Sequence, residues 1–339
     1  MSTALAQTSA SRSANLAPLR KSVPVATVPD MLDGWTDEHS ATFQSDIMTF
    51  RHRLEKTGLF SDDALVDLLE RHPGTMLDVC TMGAADHPLY PNRFRTGDFR
   101  GIPGADLLAA AKAGKIWINV RQAMNIHPEY KAVLDRMYGD LSEATGNRAF
   151  NAKGGILISS PVARVPYHFD KTEVILWHVR GRKTVYVWPV NQTFIPDRAH
   201  EATLTNMIDD DLPYTADFEQ HATVLRLEDG DGATWPLNAP HRVDNETFCV
   251  SVTTEYSTTE SGMKNAAMLT NATMRRYLGA QPLYERDGAM SRQVKSFAGR
   301  IIRKTPLAKD NTHTDMVTFR IDASQEGYLV DVEPFERNF

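Results

Sequence analysis

Between Gly154 and Tyr256 the chain carries six short runs separated by turn residues. They are Gly155-Ile-Leu-Ile-Ser159, Val165-Pro-Tyr-His-Phe-Asp170, Thr172-Glu-Val-Ile-Leu-Trp-His-Val179, Lys183-Thr-Val-Tyr-Val-Trp188, Thr223-Val-Leu-Arg-Leu227 and Phe248-Cys-Val-Ser-Val-Thr-Thr-Glu-Tyr256. Each is rich in β-branched and aromatic residues, which pack well on a pleated surface. Several short strands in close succession, with Gly, Pro and Asp between them, predict an all-β barrel or sandwich.

The flanks read differently. Before the strands, Phe43, Ile47, Phe50 and Leu54 recur at helical spacing and predict a helix. Ser61 is placed to cap a second helix through Leu65, Leu68 and Leu69, which Pro73-Gly74 stops. A strand over Thr75–Met82, a short helix over Ala105–Ala113, a strand through Ile116–Asn119 and a helix over His127–Thr145 complete this α+β segment. Beyond Gly262 the pattern is helical again, at Met268–Leu278 and Met290–Ile302, with strands expected at Met316–Ile321 and Tyr328–Val332. The expected organisation is a flexible tail over residues 1–29, an α+β buttress over 30–150, a barrel over 151–260 and a C-terminal helical region over 261–339. No internal repeat is present.

Composition bounds the function. The chain has 339 residues, 42% hydrophobic and 24% charged, which is globular composition. A chain of this length buries a sizeable core without needing a disulfide or structural metal. Only Cys80 and Cys249 are present, so a disulfide scaffold and a cysteine-rich zinc module are excluded. No apolar run approaches the roughly 20 residues that span a bilayer. A net charge of −6 gives no support to wholesale nucleic-acid binding. The expectation is a soluble, cytoplasmic protein with no membrane span and no nucleic-acid partner. The first 29 residues are Ser-, Ala- and Thr-rich and lack acids, a composition that suits a transit peptide as well as a plain tail.

Charge is distributed unevenly. Residues 271–304 carry a local charge of +6 and residues 305–339 one of −4, which predicts docking of these segments against each other or across a homodimer. Residues 201–231 hold nine acids and one Arg. Beside a binding site that segment, with Asp209, Asp210 and Asp211, would favour a cationic partner; solvated surface is the plainer reading.

The chemistry centres on His168-Phe169-Asp170. In a strand, residues i and i+2 project from one face, so the imidazole and carboxylate can point together into a barrel. A His from a distant strand would complete a two-His-one-carboxylate set, which suits Fe(II) and leaves coordination positions open. Two other His-x-acid pairs exist, His127-Pro-Glu129 and His313-Thr-Asp315. The first reads as a helix start and the second as a polar turn, so context must single out His168.

That context comes from two further stretches, Val179-Arg-Gly-Arg-Lys-Thr-Val-Tyr-Val-Trp-Pro189 and Gly230-Asp-Gly-Ala-Thr-Trp-Pro236 leading into Leu237-Asn-Ala-Pro-His241-Arg-Val243. With His168-Phe-Asp170 they resemble the JmjC-type, cupin-like Fe(II)- and 2-oxoglutarate-dependent oxygenases, over roughly residues 150–257. The hydroxylase branch typified by the asparaginyl hydroxylase factor inhibiting HIF is the most similar. The resemblance implies a double-stranded β-helix (jelly-roll), mainly β with helical decoration at both ends. It implies that His168, Asp170 and His241 bind Fe(II) and that Lys183 pairs with the distal carboxylate of 2-oxoglutarate. The implied reaction uses O2, hydroxylates a protein side chain or a small amino-acid-like molecule, and releases succinate and CO2. A buried ammonium agrees with this, because it is costly unless an anion meets it.

The resemblance further places Trp117 and Thr253 as cosubstrate contacts, and Asn119, by strand parity with Trp117, joins them on the same face. Arg121, by strand parity with Asn119, and His178, by parity with Val174 and Leu176, become substrate-facing candidates; for His178 a satisfied core histidine is the competing reading. Val165 stands where the family often has a hydroxyl that helps hold 2-oxoglutarate. Trp177, Trp188 and Trp235 read as packing, and Cys249 as a small core residue. Two rivals share the ligands: a cupin metalloenzyme that does not use 2-oxoglutarate, and a non-catalytic binding protein on the same barrel.

Overall fold

The computed structural model describes residues 28–82, 94–205, 212–308 and 315–339. Residues 1–27 of the expected tail, Asp209–Asp211 and His313 lie outside the described residues. In chain order the first part forms β1 (Leu32–Asp33), α1 (Asp37–Thr42), β2 (Met48–His52), α2 (Asp62–Arg71), β3 (Leu77–Met82), β4 (Phe94–Asp98), α3 (Gly104–Ala113), β5 (Ile116–Val120), α4 (Ala123–Ile126) and α5 (Pro128–Thr145). The middle forms β6 (Phe150–Ser159), β7 (Arg164–His168), β8 (Glu173–Arg180), β9 (Lys183–Val187), α6 (Asp197–Leu204), β10 (Thr223–Leu227), β11 (Asp231–Thr234), β12 (His241–Asn245) and β13 (Cys249–Ser257). The last part forms α7 (Thr259–Leu278), α8 (Ala289–Ile302), β14 (Met316–Ile321) and β15 (Leu329–Glu336).

Among the described residues the strands make two sheets. The larger runs β1-β2-β11-β8-β13-β6-β5-β3-β4-β14-β15 and the smaller β10-β9-β12-β7. Pairing is antiparallel except where β14 lies parallel to β4. The architecture is mixed: a large, mainly antiparallel sheet, a small sheet and several helices.

Side-chain alternation explains how the layers meet. On β8, Val174 and Leu176 join Val185 and Val187 of β9, Leu227 of β10 and Val243 of β12 in one buried cluster, so the two sheets pack face to face. The intervening Ile175, Trp177 and Val179 point the other way, into a second core with Leu65, Leu68, Tyr130 and Met137 of α2 and α5. A strand buried on both faces reads as a continuous apolar run, which is how Thr172–Val179 appears in the sequence.

One expectation is corrected. Phe43, Ile47, Phe50 and Leu54 do not lie on one helix: α1 stops at Thr42 and Phe50 sits in β2, paired with Gly232 of β11. The helical spacing was coincidental. Within β2 the burial alternates, with Phe50 and His52 inward, and pairing with β11 decides the conformation. β2, β5 and the β14–β15 hairpin enter the same large sheet as β6, β8, β11 and β13, and the strands expected at Met316–Ile321 and Tyr328–Val332 lie in that hairpin. Short β11 and β12 were not foreseen as strands.

Helices α7 and α8 pack closely at one point. A Cβ on Gly299 would stand 1.8 Å from Ala266 O, so no side chain fits there. Gly299→Ala is expected to destabilise the protein by about 2–3 kcal/mol through forced separation of the helices. Urea unfolding would measure it; an unchanged midpoint would mean the helices are not seated this way.

Candidate metal centre and the buried lysine behind it

Strands β7 and β12 are neighbours in the small sheet, and their register sets His241 directly opposite His168. The imidazole rings lie 4.2 Å apart between centroids. Asp170, two residues past the end of β7 for His168, brings Oδ2 to 3.3 Å from His241 Nε2. One potential ligand atom from each of the three residues lies within 4.8 Å of the others. Two ligands at right angles on a metal, each about 2.1 Å from it, are themselves about 3 Å apart, so this spacing needs little change to close on an ion.

The ring orientations are set by the backbone. His168 Nδ1–H donates to Pro166 O at 2.8 Å, and His241 Nδ1–H donates to Ala239 O at 3.0 Å. A carbonyl only accepts, so Nδ1 carries the proton in each and Nε2 is left with its lone pair. Burial, followed by the neighbouring His168, holds the His241 pKa well below its ordinary value, which favours the neutral ligand form. Trp235 packs against the His241 ring at 4.5 Å between centroids. Asn238, in a left-handed conformation, donates from Nδ2 to Asp170 O at 2.8 Å and so steadies the loop that carries the carboxylate.

Lys183 opens β9 after the Arg180-Gly181-Arg182 turn. Gly181 has φ +98°, and a Cβ there would meet Phe248 O at 2.2 Å, so only glycine makes this turn. The turn delivers Lys183 to the interior with 4% of its surface exposed. Burial lowers its pKa below the ordinary 10.5. Its Nζ donates to Ser251 Oγ at 2.8 Å, and among the described residues no carboxylate lies within ion-pair distance. His178 Nε2–H donates to Gly181 O at 2.8 Å, so its Nδ1 is the acceptor that takes the Ser251 hydroxyl proton at 3.0 Å. The result is a directed chain: Lys183 to Ser251 to His178 to the turn carbonyl. His178 points inward as its parity predicted and has both nitrogens satisfied, which is the core-histidine reading. Burial and then Lys183 lower its pKa to about 3.

A cavity of about 40 Å³ touches Lys183, walled by Trp117, Ser159, Val165, Leu176 and Asn245 among others. Asn119 and Thr253 share this inner face. A Cβ on Gly155, which pairs with Thr253, would meet Asn119 Oδ1 at 3.4 Å and Thr253 Cγ2 at 3.6 Å. Arg121 is not brought to this face: it is exposed, with Nε 3.0 Å from Asp78 Oδ2 and Nη2 donating to Thr75 O at 2.5 Å. Strand parity misleads there because β5 ends at Val120. Ser251 was missed by sequence reasoning, although its parity with Thr253 and its place opposite His178 were available signals. Glu255 was missed too. It lies two positions further along that face, and burial and then the Asp170 carboxylate push its carboxyl above the ordinary range.

Fold and site together describe a mixed α and β protein with a candidate two-histidine, one-carboxylate metal centre between two packed sheets. No family model matches the chain, and no curated protein matches it. Among solved structures the chain is similar to YcfD of Escherichia coli, with 16% identity, 82% of this chain and 70% of that chain covered, and a TM-score of 0.44. The structure of YcfD, a ribosomal oxygenase, in complex with cobalt and 2-oxoglutarate gives 16% identity, 85% and 74% coverage and a TM-score of 0.44. The complex with cobalt and succinic acid gives the same figures. At that identity and TM-score the likeness carries no residue role to this chain. These neighbours are named a ribosomal oxygenase, and the resemblance to the asparaginyl hydroxylase branch stands on the sequence motifs alone.

Proposed function

We propose that this protein is an Fe(II)- and 2-oxoglutarate-dependent oxygenase, a hydroxylase in its chemistry. The observation that carries the reading is the convergence of His168, Asp170 and His241 with both Nδ1 protons already committed to backbone carbonyls. Two neutral imidazoles and one carboxylate on one side are a donor set that suits Fe(II) and leaves the other side open. When bound, iron with 2-oxoglutarate and O2 would supply the oxidising power, with succinate and CO2 as coproducts. The residues of the chain hold and orient. His168, Asp170 and His241 would hold the ion, and Lys183, fixed by Ser251, would meet the distal carboxylate of the cosubstrate. Trp117, Asn119 and Thr253 line the face between. The cavity beside Lys183, about 40 Å³, has Val165 and Trp117 in its wall.

The strand order supports a double-stranded β-helix as the core of the fold. The orders β6-β13-β8-β11 and β7-β12-β9-β10 interleave along the chain, crossing between the sheets at every step except the β9–β10 pair, as a jelly-roll requires. Residues 151–260 are then the barrel, with 30–150 its buttress. A cytoplasmic setting accords with two unpaired, buried cysteines. Among the described residues no helix is long and apolar enough to cross a membrane.

Anaerobic addition of Fe(II) and then 2-oxoglutarate to the metal-free protein is expected to produce a visible metal-to-ligand charge-transfer band. Iron binding without the band would favour a cupin metalloenzyme that does not use 2-oxoglutarate. Absence of iron binding would favour a non-catalytic relative.

A homodimer through the C-terminal region is part of the same reading. Met290, Val294, Phe297 and Ile301 recur at four-, three- and four-residue spacing on α8, and each is more than half exposed. Such a stripe is costly in water and matches what a helix buries against a copy of itself. Sedimentation is expected to show a dimer, converted to monomer by Phe297→Glu; a monomeric wild type would remove the proposal.

A further inference from the structure

A cavity of about 630 Å³ lies between α6, α7 and the end of α8, outside the metal centre. Its volume falls in the range of small-molecule sites. Its wall begins one residue from a candidate metal ligand: Lys171 follows Asp170, and Asn265 of α7 donates from Nδ2 to Lys171 O at 2.5 Å. The charge on this wall is one-sided. Lys171, Arg198, Arg275, Arg276 and Arg303 line it against a single acid, Glu201. That acid is already committed, since Arg275 meets it through Nε at 2.8 Å and Nη2 at 3.2 Å. Among the described residues Arg198, Arg276 and Arg303 have no carboxylate within ion-pair distance; Arg198 bonds only the neutral Gln281 at 2.8 Å.

Between these cations the wall is apolar, with Leu204, Leu269, Ala272 and Leu307. One acceptor is orphaned there: Asn265 is 8% exposed, its amide nitrogen is engaged and its Oδ1 has no partner. A buried acceptor of this kind calls for a donor.

We propose that this cavity binds an organic anion, a molecule with an apolar body and a phosphate or carboxylate group. Resting on the oxygenase reading, the anionic group is the anchor by which the primary substrate is held beside the metal centre. A ligand O–H or N–H satisfies Asn265 Oδ1. The guanidinium groups supply planar, paired donors that match phosphate and carboxylate oxygens. This reverses the cationic preference that the acid count of residues 201–231 suggested.

Binding is tested on the full chain without iron, so that it reads independently of turnover. Phenyl phosphate and benzoate serve as the phosphate and carboxylate probes, with benzyl alcohol as the neutral control, all by calorimetric titration. At least one anion is expected to bind saturably, about tenfold or more tighter than the alcohol, and about tenfold weaker in Arg276→Glu/Arg303→Glu. The relative affinity of the two anions identifies which head group the site takes. Both arginines are exposed, and Arg276→Gln/Arg303→Gln, which only removes charge, is expected to give an intermediate loss. His241→Ala is expected to leave anion binding intact. Equal binding of the alcohol, an unaffected double variant, or no saturable binding of either anion overturns the site. In a succinate-release screen of matched anionic and neutral compounds, anionic substrates whose KM rises in the double variant at unchanged kcat support the substrate class. Neutral or cationic substrates insensitive to it overturn that class while leaving the oxygenase reading standing.

Discussion

Replacing His241 with alanine is expected to abolish turnover and iron binding together while the fold survives. His241 offers one of three potential ligand atoms, with its Nε2 3.3 Å from the Asp170 carboxylate. Without it, Fe(II) would be held by a single imidazole and a carboxylate, a pair found on many protein surfaces without a bound metal. Succinate release should fall by at least about a thousandfold, which corresponds to about 4 kcal/mol of lost transition-state stabilisation. The structural cost is small by comparison, because the imidazole donates to a carbonyl only two residues before it, and its other contacts are with the two companion residues of the site and Trp235. Iron titration followed by urea unfolding of the same sample separates the two effects. Full iron affinity in the variant would remove the assignment of His241; a collapse of the fold would make it a structural residue first.

Lys183→Met should do two opposite things: abolish cosubstrate binding and stabilise the metal-free protein. The first follows if the ammonium meets the distal carboxylate, and a cosubstrate KM raised about a hundredfold or more is expected for loss of a buried charge-assisted contact. The second follows from burial. A cation at 4% exposure with only a hydroxyl partner has lost most of its hydration and gained one neutral hydrogen bond. Methionine fills a similar volume, and Ser251 keeps its bond to His178 Nδ1. A gain of about 1–3 kcal/mol is expected by comparison with other buried ions replaced by apolar residues. The pH dependence has a defined sign. The folded protein holds the Lys183 proton less tightly than the unfolded chain, whose lysine has the ordinary value of 10.5. Unfolding therefore takes up a proton between the two values, and stability from this group rises with pH through that window. The methionine variant should lack that rise. A variant less stable than wild type in the absence of cosubstrate would show that the ammonium is not an uncompensated charge.

Legibility of the sequence followed the range of the interactions involved. The strands of the central stretch could be read because alternation is local: Val174 and Leu176 face one core and Ile175, Trp177 and Val179 the other. The inward turn of His178 followed from that parity. The second ligand strand was not read as a strand, since β12 is five residues long and only two of them, His241 and Val243, are buried. Its ladder with β7 and β9 stabilises it, and that pairing is invisible without the fold. The same holds for β2, where a chance helical spacing outweighed a five-residue strand whose partner, β11, lies about 180 residues away. Ser251 escaped because a serine in a strand has no local mark. Its role comes from lying across from His178 and within reach of a lysine 68 positions earlier.

The parallel pairing of β14 with β4 joins residues more than 200 positions apart, Val317 with Thr96 among them. During synthesis β4 precedes β14 by more than 200 residues and has β3 on one side only, so its other edge stays open until β14 has been translated. An unpaired edge is a template for pairing with the wrong chain. Closing a loop of that length also comes late in folding, because its entropic cost precedes any reward from contacts. A chain lacking residues 315–339 would therefore leave that edge of β4 open, and it is expected to depend on chaperones more than the chain that carries β14.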